Sequence, residues 1–143
     1  MKDFSAGEKR PQTKLNSQTD KMNRKFIYRR IVLKREILAE VTVLDQGVHI
    51  LLTGGQRTHV GSVSICDASK DSKAMTLCLP GHKEPVITEH WCAVLSEKWK
   101  CPVTVACGIH YDSITHDEIR EILKETDLLL QQTAEGSIPM SPA

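Results

Sequence analysis

The stretch DQGVHILLTGGQRTHVGSVSICD, residues 45–67, decides how the chain folds. Asp45-Gln46-Gly47 has turn chemistry, and VHILLT after it is an apolar run of strand length. Gly54 and Gly55 end that run, and HVGSVSICD starts a second one at His59. Between them stand Gln56, Arg57 and Thr58, with Gly61 just inside the second run. The whole reads as turn, strand, glycine loop, strand within an antiparallel meander. The Gly54–Gly55 pair alone makes a good hairpin turn. Beside Arg57 and His59 it also suits a loop that holds a ligand, and the stretch itself leaves both readings open.

Upstream, Ile27, Ile31, Leu33, Ile37, Ala39, Val41 and Val43 fall mainly at every second position. That is the pattern of half-buried strand, as two strands or one long bent one. Residues 1–24 are polar, basic-leaning and without periodicity, so they read as a disordered leader. Downstream, ASKDSK is a polar turn and AMTLCLP a further strand.

The period then changes. Pro85 suits the first position of a helix, and Ile87, Trp91, Val94 and Leu95 form one stripe, predicting an amphipathic helix over 85–99. CPVTVACGI is a strand with Val103, Val105, Cys107 and Ile109 on one face and Thr104, Ala106 and Gly108 on the other. Thr115 with Glu118 makes a capping box, and Ile119, Ile122, Leu123 and Leu130 stripe a helix running to about 132. Residues 134–143 read as a flexible tail. The order predicts one α+β domain over 25–133, an antiparallel β-meander followed by α-β-α. The helices should pack on one sheet face through Trp91, Leu95, Ile119 and Ile122.

Composition narrows the function classes. The 143 residues are 40% apolar with a net charge of +1, which gives no global case for nucleic-acid or membrane binding. Two Trp, two Tyr and two Phe are too few for base-stacking platforms. Five cysteines without a CxxC pair read as reduced thiols of a cytoplasmic chain rather than a disulfide framework or zinc knuckle. Neither a GxSxG elbow nor a Walker A loop occurs. Cys107 lies near His110 in sequence, but its strand face is the buried one, and buried thiols are inert. The residues alone do not establish an enzyme.

Three stretches carry the chemistry. GGQRTHVG offers Gly54, Gly55, Arg57, His59 and Gly61; LPGHKE offers Gly81, His82 and Lys83; GIHYDSIT offers Gly108 and His110. The last two precede helix starts, where N–H groups point outward and favour an anion. Two of the three loops can therefore fall on one sheet edge, and strand order decides whether the third joins them. Imidazole is also a common neutral metal ligand, so His59, His82 and His110 are candidates for a divalent metal. The plainer alternative is that the glycines only make turns and the histidines are solvated.

TGGQRTHVGSVSI, LPGHKE and ACGIHYDSITHDEIREI together resemble the LpdD-like proteins, D-type small subunits associated with hydroxyarylic acid decarboxylases and also described as prenylated-flavin chaperones. The family pattern is a Gly-Gly loop followed by His-(Ile/Val)-Gly, then Gly-His-Lys-Glu, then Gly-Ile-His-(aliphatic or aromatic)-Asp. The resemblance covers roughly 26–132 and implies a fold similar to proteasome assembly chaperones. It implies binding of prenylated FMN, or FMN, by Gly54, Gly55, Arg57, His59, Gly61, Gly81, His82, Lys83, Gly108 and His110. It further implies a UbiD-type decarboxylase large subunit as partner, which would perform the chemistry. On this expectation the chain is a non-catalytic maturation factor. The rival readings are a small metal-dependent enzyme built on the three histidines and a pure assembly module. Whether the chain is a homo-oligomer stays open.

Overall fold

The computed structural model describes residues 24–69, 73–82 and 84–136. The expected leader up to residue 23, Lys83 and residues 137–143 of the expected tail lie outside the described residues.

Strands β1 (Arg24–Val32) and β2 (Arg35–Leu44) form a hairpin. Its two turn residues, Leu33 and Lys34, both take positive φ, 51° and 70°. That is the mirror-image turn whose twist suits a two-residue hairpin, although it normally selects Asn or Gly. Strand β3 (Gly47–Gly55) returns antiparallel beside β2 after the expected Asp45–Gly47 turn. Strands β4 (Ser62–Cys66) and β5 (Met75–Cys78) follow, then helix α1 (Pro85–Trp99), strand β6 (Val103–His110) and helix α2 (His116–Gly136). The α+β class and the element order are as expected. The last helix runs on through residues 134–136, which had been expected to belong to the tail.

The sheet order is β1-β2-β3-β6-β4-β5. β6 enters between β3 and β4, parallel to β3 and antiparallel to β4. The meander is therefore split: β3 and β4 are not neighbours, and Gly54–Gly55 is no hairpin turn. Those two glycines are the last paired residues of β3, opposite Ile109 and His110.

One sheet face is dry. Ile37, Ala39, Val41, Val43, Val48, Ile50, Leu52, Val103, Val105 and Cys107 alternate onto it and join Trp91, Leu95, Leu129 and Leu130 in a single core. The β1 face is inverted relative to the sequence reading. Ile27 and Ile31 are exposed, while Phe26, Tyr28 and Val32 turn inward. The two-residue turn resets the period, so the apparent alternation across residues 26–43 joins opposite faces of two strands.

α1 docks on β4 and β6 through small polar groups as well as Trp91. Thr88, fully buried, meets the hydroxyls of Ser62 at 3.1 Å and Ser64 at 2.7 Å, and Ser64 also meets Thr76 at 2.7 Å. The Cys92 thiol donates to the carbonyls of Ser64 and Val103. Every hydroxyl of this seam has a partner, which burial demands. α2 starts on the expected capping box: Thr115 N–H donates to Glu118 Oε1 and Glu118 N–H to Thr115 Oγ1. A 2.6 Å contact from Arg30 to Glu125 clips α2 over β1.

Candidate functional site

Strand directions bring the three loops to one edge. Because β3 and β6 run parallel, their carboxyl ends, Gly55 and His110, lie side by side. Ser62 at the start of β4 pairs with Cys107 and with Cys78 at the end of β5. The segment entering β4, the segment leaving β5 and the end of β6 thus share an edge, and each supplies one imidazole.

His59 Nε2 lies 3.3 Å from His82 Nδ1, and the two ring centroids are 5.0 Å apart. The His110 ring stands edge-on to His59 at 6.4 Å. Between them is a residue outside the expected site, Glu84. It is 7% exposed and turns one oxygen to each ring: Oε2 is 3.4 Å from His59 Nε2, and Oε1 is 3.4 Å from His82 Nδ1. Ile109 N–H donates to Oε2 at 3.4 Å, whereas the buried Oε1 has no hydrogen-bond partner among the described residues. Among the described residues, the donor atoms that come together are those of His59, His82 and Glu84. His110 Nε2 is engaged at 2.8 Å by Asp112. That bond, with Arg57 nearby, holds the Asp112 carboxyl below its ordinary range.

Two glycines make room for the cluster. The carbonyl of His59 passes directly over Gly108, and a Cβ there would run into it. At Gly61 a Cβ would stand 2.5 Å from His82 Nδ1 and 2.8 Å from Glu84 Oε1. Both permit a close approach that a side chain would block. Gly54 and Gly55 are likewise strand residues pressed on their neighbours, Ile37 and His110. Gly81 differs: its φ is +84°, and among the described residues nothing beyond its chain neighbours lies within 4 Å of where its Cβ would be. Arg57 is exposed, 3.4 Å from Asp112, and lies outside the cleft lining.

The cluster closes one end of a cleft of about 520 Å³ between the sheet edge and the two helices. Its remaining wall is aliphatic: Ile87, Ile109, Ile114, Ile119, Ile122 and Leu123. Ile119, expected in the core, is 39% exposed on this wall, while Trp91, Leu95 and Ile122 are buried as expected. Tyr111 also lines the cleft, and its hydroxyl donates to the Val32 carbonyl at 2.7 Å, tying the β6–α2 loop to the first hairpin. Two other hollows of similar size, 510 and 470 Å³, bring at most one imidazole to their linings. The Cys107 thiol is pushed far up by burial and then by the charge of Glu84, so it stays protonated and is no nucleophile.

The volume lies in the range of small-ligand sites, roughly 300–1,000 Å³. Among the described residues no helix is long and apolar enough to cross a membrane. No curated protein matches the chain. A solved chain from a chaperone complex for yeast 20S proteasome assembly is similar at 16% identity and a TM-score of 0.49, covering 80% of this chain and 99% of its own. That likeness says nothing of ligand or partner. The sequence matches the family description of the prenylated flavin chaperone LpdD-like domain over residues 33–137, which take in the whole of the cleft and its histidines. The chain belongs to the family of prenylated flavin chaperone LpdD-like domains.

Proposed function

We propose that this chain binds prenylated FMN, or FMN, in the cleft at the shared sheet edge and hands it to a UbiD-type decarboxylase, taking no part in the decarboxylation itself. The observation that carries the reading is the union of an aliphatic wall with three imidazoles from three separate loops. The wall of Ile87, Ile109, Ile114, Ile119, Ile122 and Leu123 would exclude water from the apolar ring and its prenyl extension. His59, His82 and His110 would offer hydrogen bonds to its polar edges. The open space at Gly81 leaves the rim clear for the larger ligand. The flavin would supply the decarboxylation chemistry once handed on, and this chain's residues would only hold and orient it.

Co-expression with a flavin prenyltransferase tests the reading. The purified chain should carry flavin absorbance and restore activity to a cofactor-free UbiD-type decarboxylase. Ile119→Trp places a large ring on the exposed part of the wall, so it should keep its melting temperature and lose the bound flavin. A colourless parent, or an Ile119→Trp chain as yellow as the parent, refutes binding in this cleft.

A further inference from the structure

The two imidazoles and the carboxylate at the end of the cleft surround one point. Hydrogen bonding accounts poorly for their arrangement. A neutral imidazole has one N–H, so a single proton can stand between the facing nitrogens of His59 and His82. Whichever ring holds it, the other nitrogen turns a lone pair toward a carboxylate oxygen. If both nitrogens are protonated, two donors crowd each other at 3.3 Å. The three separations, 3.3, 3.4 and 3.4 Å, also exceed the usual N–H···O range of about 2.7–3.2 Å. Glu84 Oε1 meanwhile stays buried without a donor among the described residues, an arrangement that costs stability unless something else meets it.

A cation at the shared point would be met by both facing ring nitrogens and by one oxygen of Glu84. Donors around a tetrahedral ion with bonds of about 2.0–2.1 Å stand about 3.3–3.4 Å from one another. The 3.3 Å between the two ring nitrogens is of that length, and each nitrogen stands 3.4 Å from its own oxygen of Glu84, Oε2 for His59 and Oε1 for His82. The geometry points to a divalent first-row transition ion of the zinc kind, held by His59 Nε2, His82 Nδ1 and Glu84. Two imidazoles with one carboxylate suit such ions, whereas magnesium and calcium prefer all-oxygen shells. Three protein ligands leave a coordination position free. All three residues line the cleft, so that position is reached from it. Gly61 keeps the centre clear, because any Cβ there would press on two of the donor atoms. His110 stays outside the ligand set, held by Asp112.

The assignment does not depend on the flavin reading, since the chain alone supplies the ligands. The test uses the untagged full-length chain, stripped with a chelator and free of flavin. It is titrated with zinc chloride by calorimetry, and separately with cobalt(II), whose visible d–d bands report low-symmetry ligation. One ion per chain should bind, and excess zinc should raise the melting temperature. His82→Ala and Glu84→Gln should each weaken binding by at least about 100-fold, more than the loss of a supporting outer-shell group. His110→Ala should bind zinc as the parent does. His82 is about a third exposed, so its variant carries the test even if Glu84→Gln fails to fold. No zinc binding by the stripped parent, or equal binding by His82→Ala, overturns the site. A chain that binds zinc but no flavin upholds this site while refuting the flavin reading. The reverse result does the opposite.

Discussion

Replacing Gly108 with alanine should be far more damaging than the same change at Gly81, although both glycines belong to the same corner of the fold. At Gly108 the new methyl would collide with the His59 carbonyl oxygen and crowd its carbon and ring. The obstacle is backbone, pinned by the Gly61 N–H bond to Cys107 O at 2.9 Å, so it cannot swing aside like a side chain. Overpacking of this kind costs about 1–3 kcal/mol, and a backbone obstacle argues for the upper end, about 3 kcal/mol. Gly81→Ala meets no atom and pays only for its positive φ, about 1–2 kcal/mol, partly offset by a stiffer unfolded chain. Urea unfolding with a fixed m-value measures both. Gly108→Ala should also lower the melting temperature by about 10 °C, at roughly 3–4 °C per kcal/mol for a domain of this size. Equal losses at the two positions would refute the close packing of His59 on β6.

Trp91→Ala, which empties a site only 1% exposed beneath the sheet, should cost about 3–5 kcal/mol in the same urea assay. The buried thiols predict an alkaline limit: Cys92 is pushed up to about 12 by burial and by nearby Cys66, and Cys101 and Cys107 are also raised. Above pH about 8.5 an unfolded chain loses thiol protons that the folded chain keeps, so stability is full below that pH and declines as pH rises toward the folded values. A urea midpoint that stays level between pH 8 and about 10.5 would contradict it. Asp112 should titrate below a free aspartate by carboxyl NMR, and His110→Ala should move it back up, since the imidazole bond is the leading cause of its depression.

The helices were legible because their signals are local. Pro85 at the first turn, the Thr115–Glu118 box and the stripe through Trp91 and Leu95 all act within a few residues of where they are read. What failed depends on partners far along the chain. Leu33 and Lys34 make a mirror-image turn with no glycine or asparagine to announce it, so the two strands merged into one false alternation and β1 was read inside out. β6 lies between β3 and β4 because a parallel strand can be inserted only after the α1 crossover, and nothing in the 54–61 stretch reveals that later insertion. The same glycines that serve a hairpin also serve a strand end packed against another backbone.

Glu84 shows why the candidate site was only half readable. Immediately before Pro85, a carboxylate has a sufficient local explanation: negative charge favours a helix N-terminus. Yet its side chain makes no capping hydrogen bond. It points instead to two imidazoles, one of them 25 residues earlier, and is buried by doing so. The usable signal was the pair His82 and Glu84 on one tight turn. That spacing can direct both side chains to a common point, provided a third donor arrives from elsewhere. His59 arrives only because β6 separates β4 from β3 and leaves the intervening segment to cross over Gly108. Chain topology, not loop composition, therefore turns three glycine-histidine loops into one constellation. A variant that lengthened the 56–61 segment by two glycines should accordingly keep the core and lose the cluster. Near-parent melting temperature with abolished zinc binding is the expected result, and zinc affinity that survives the insertion would mean the segment does not set the position of His59.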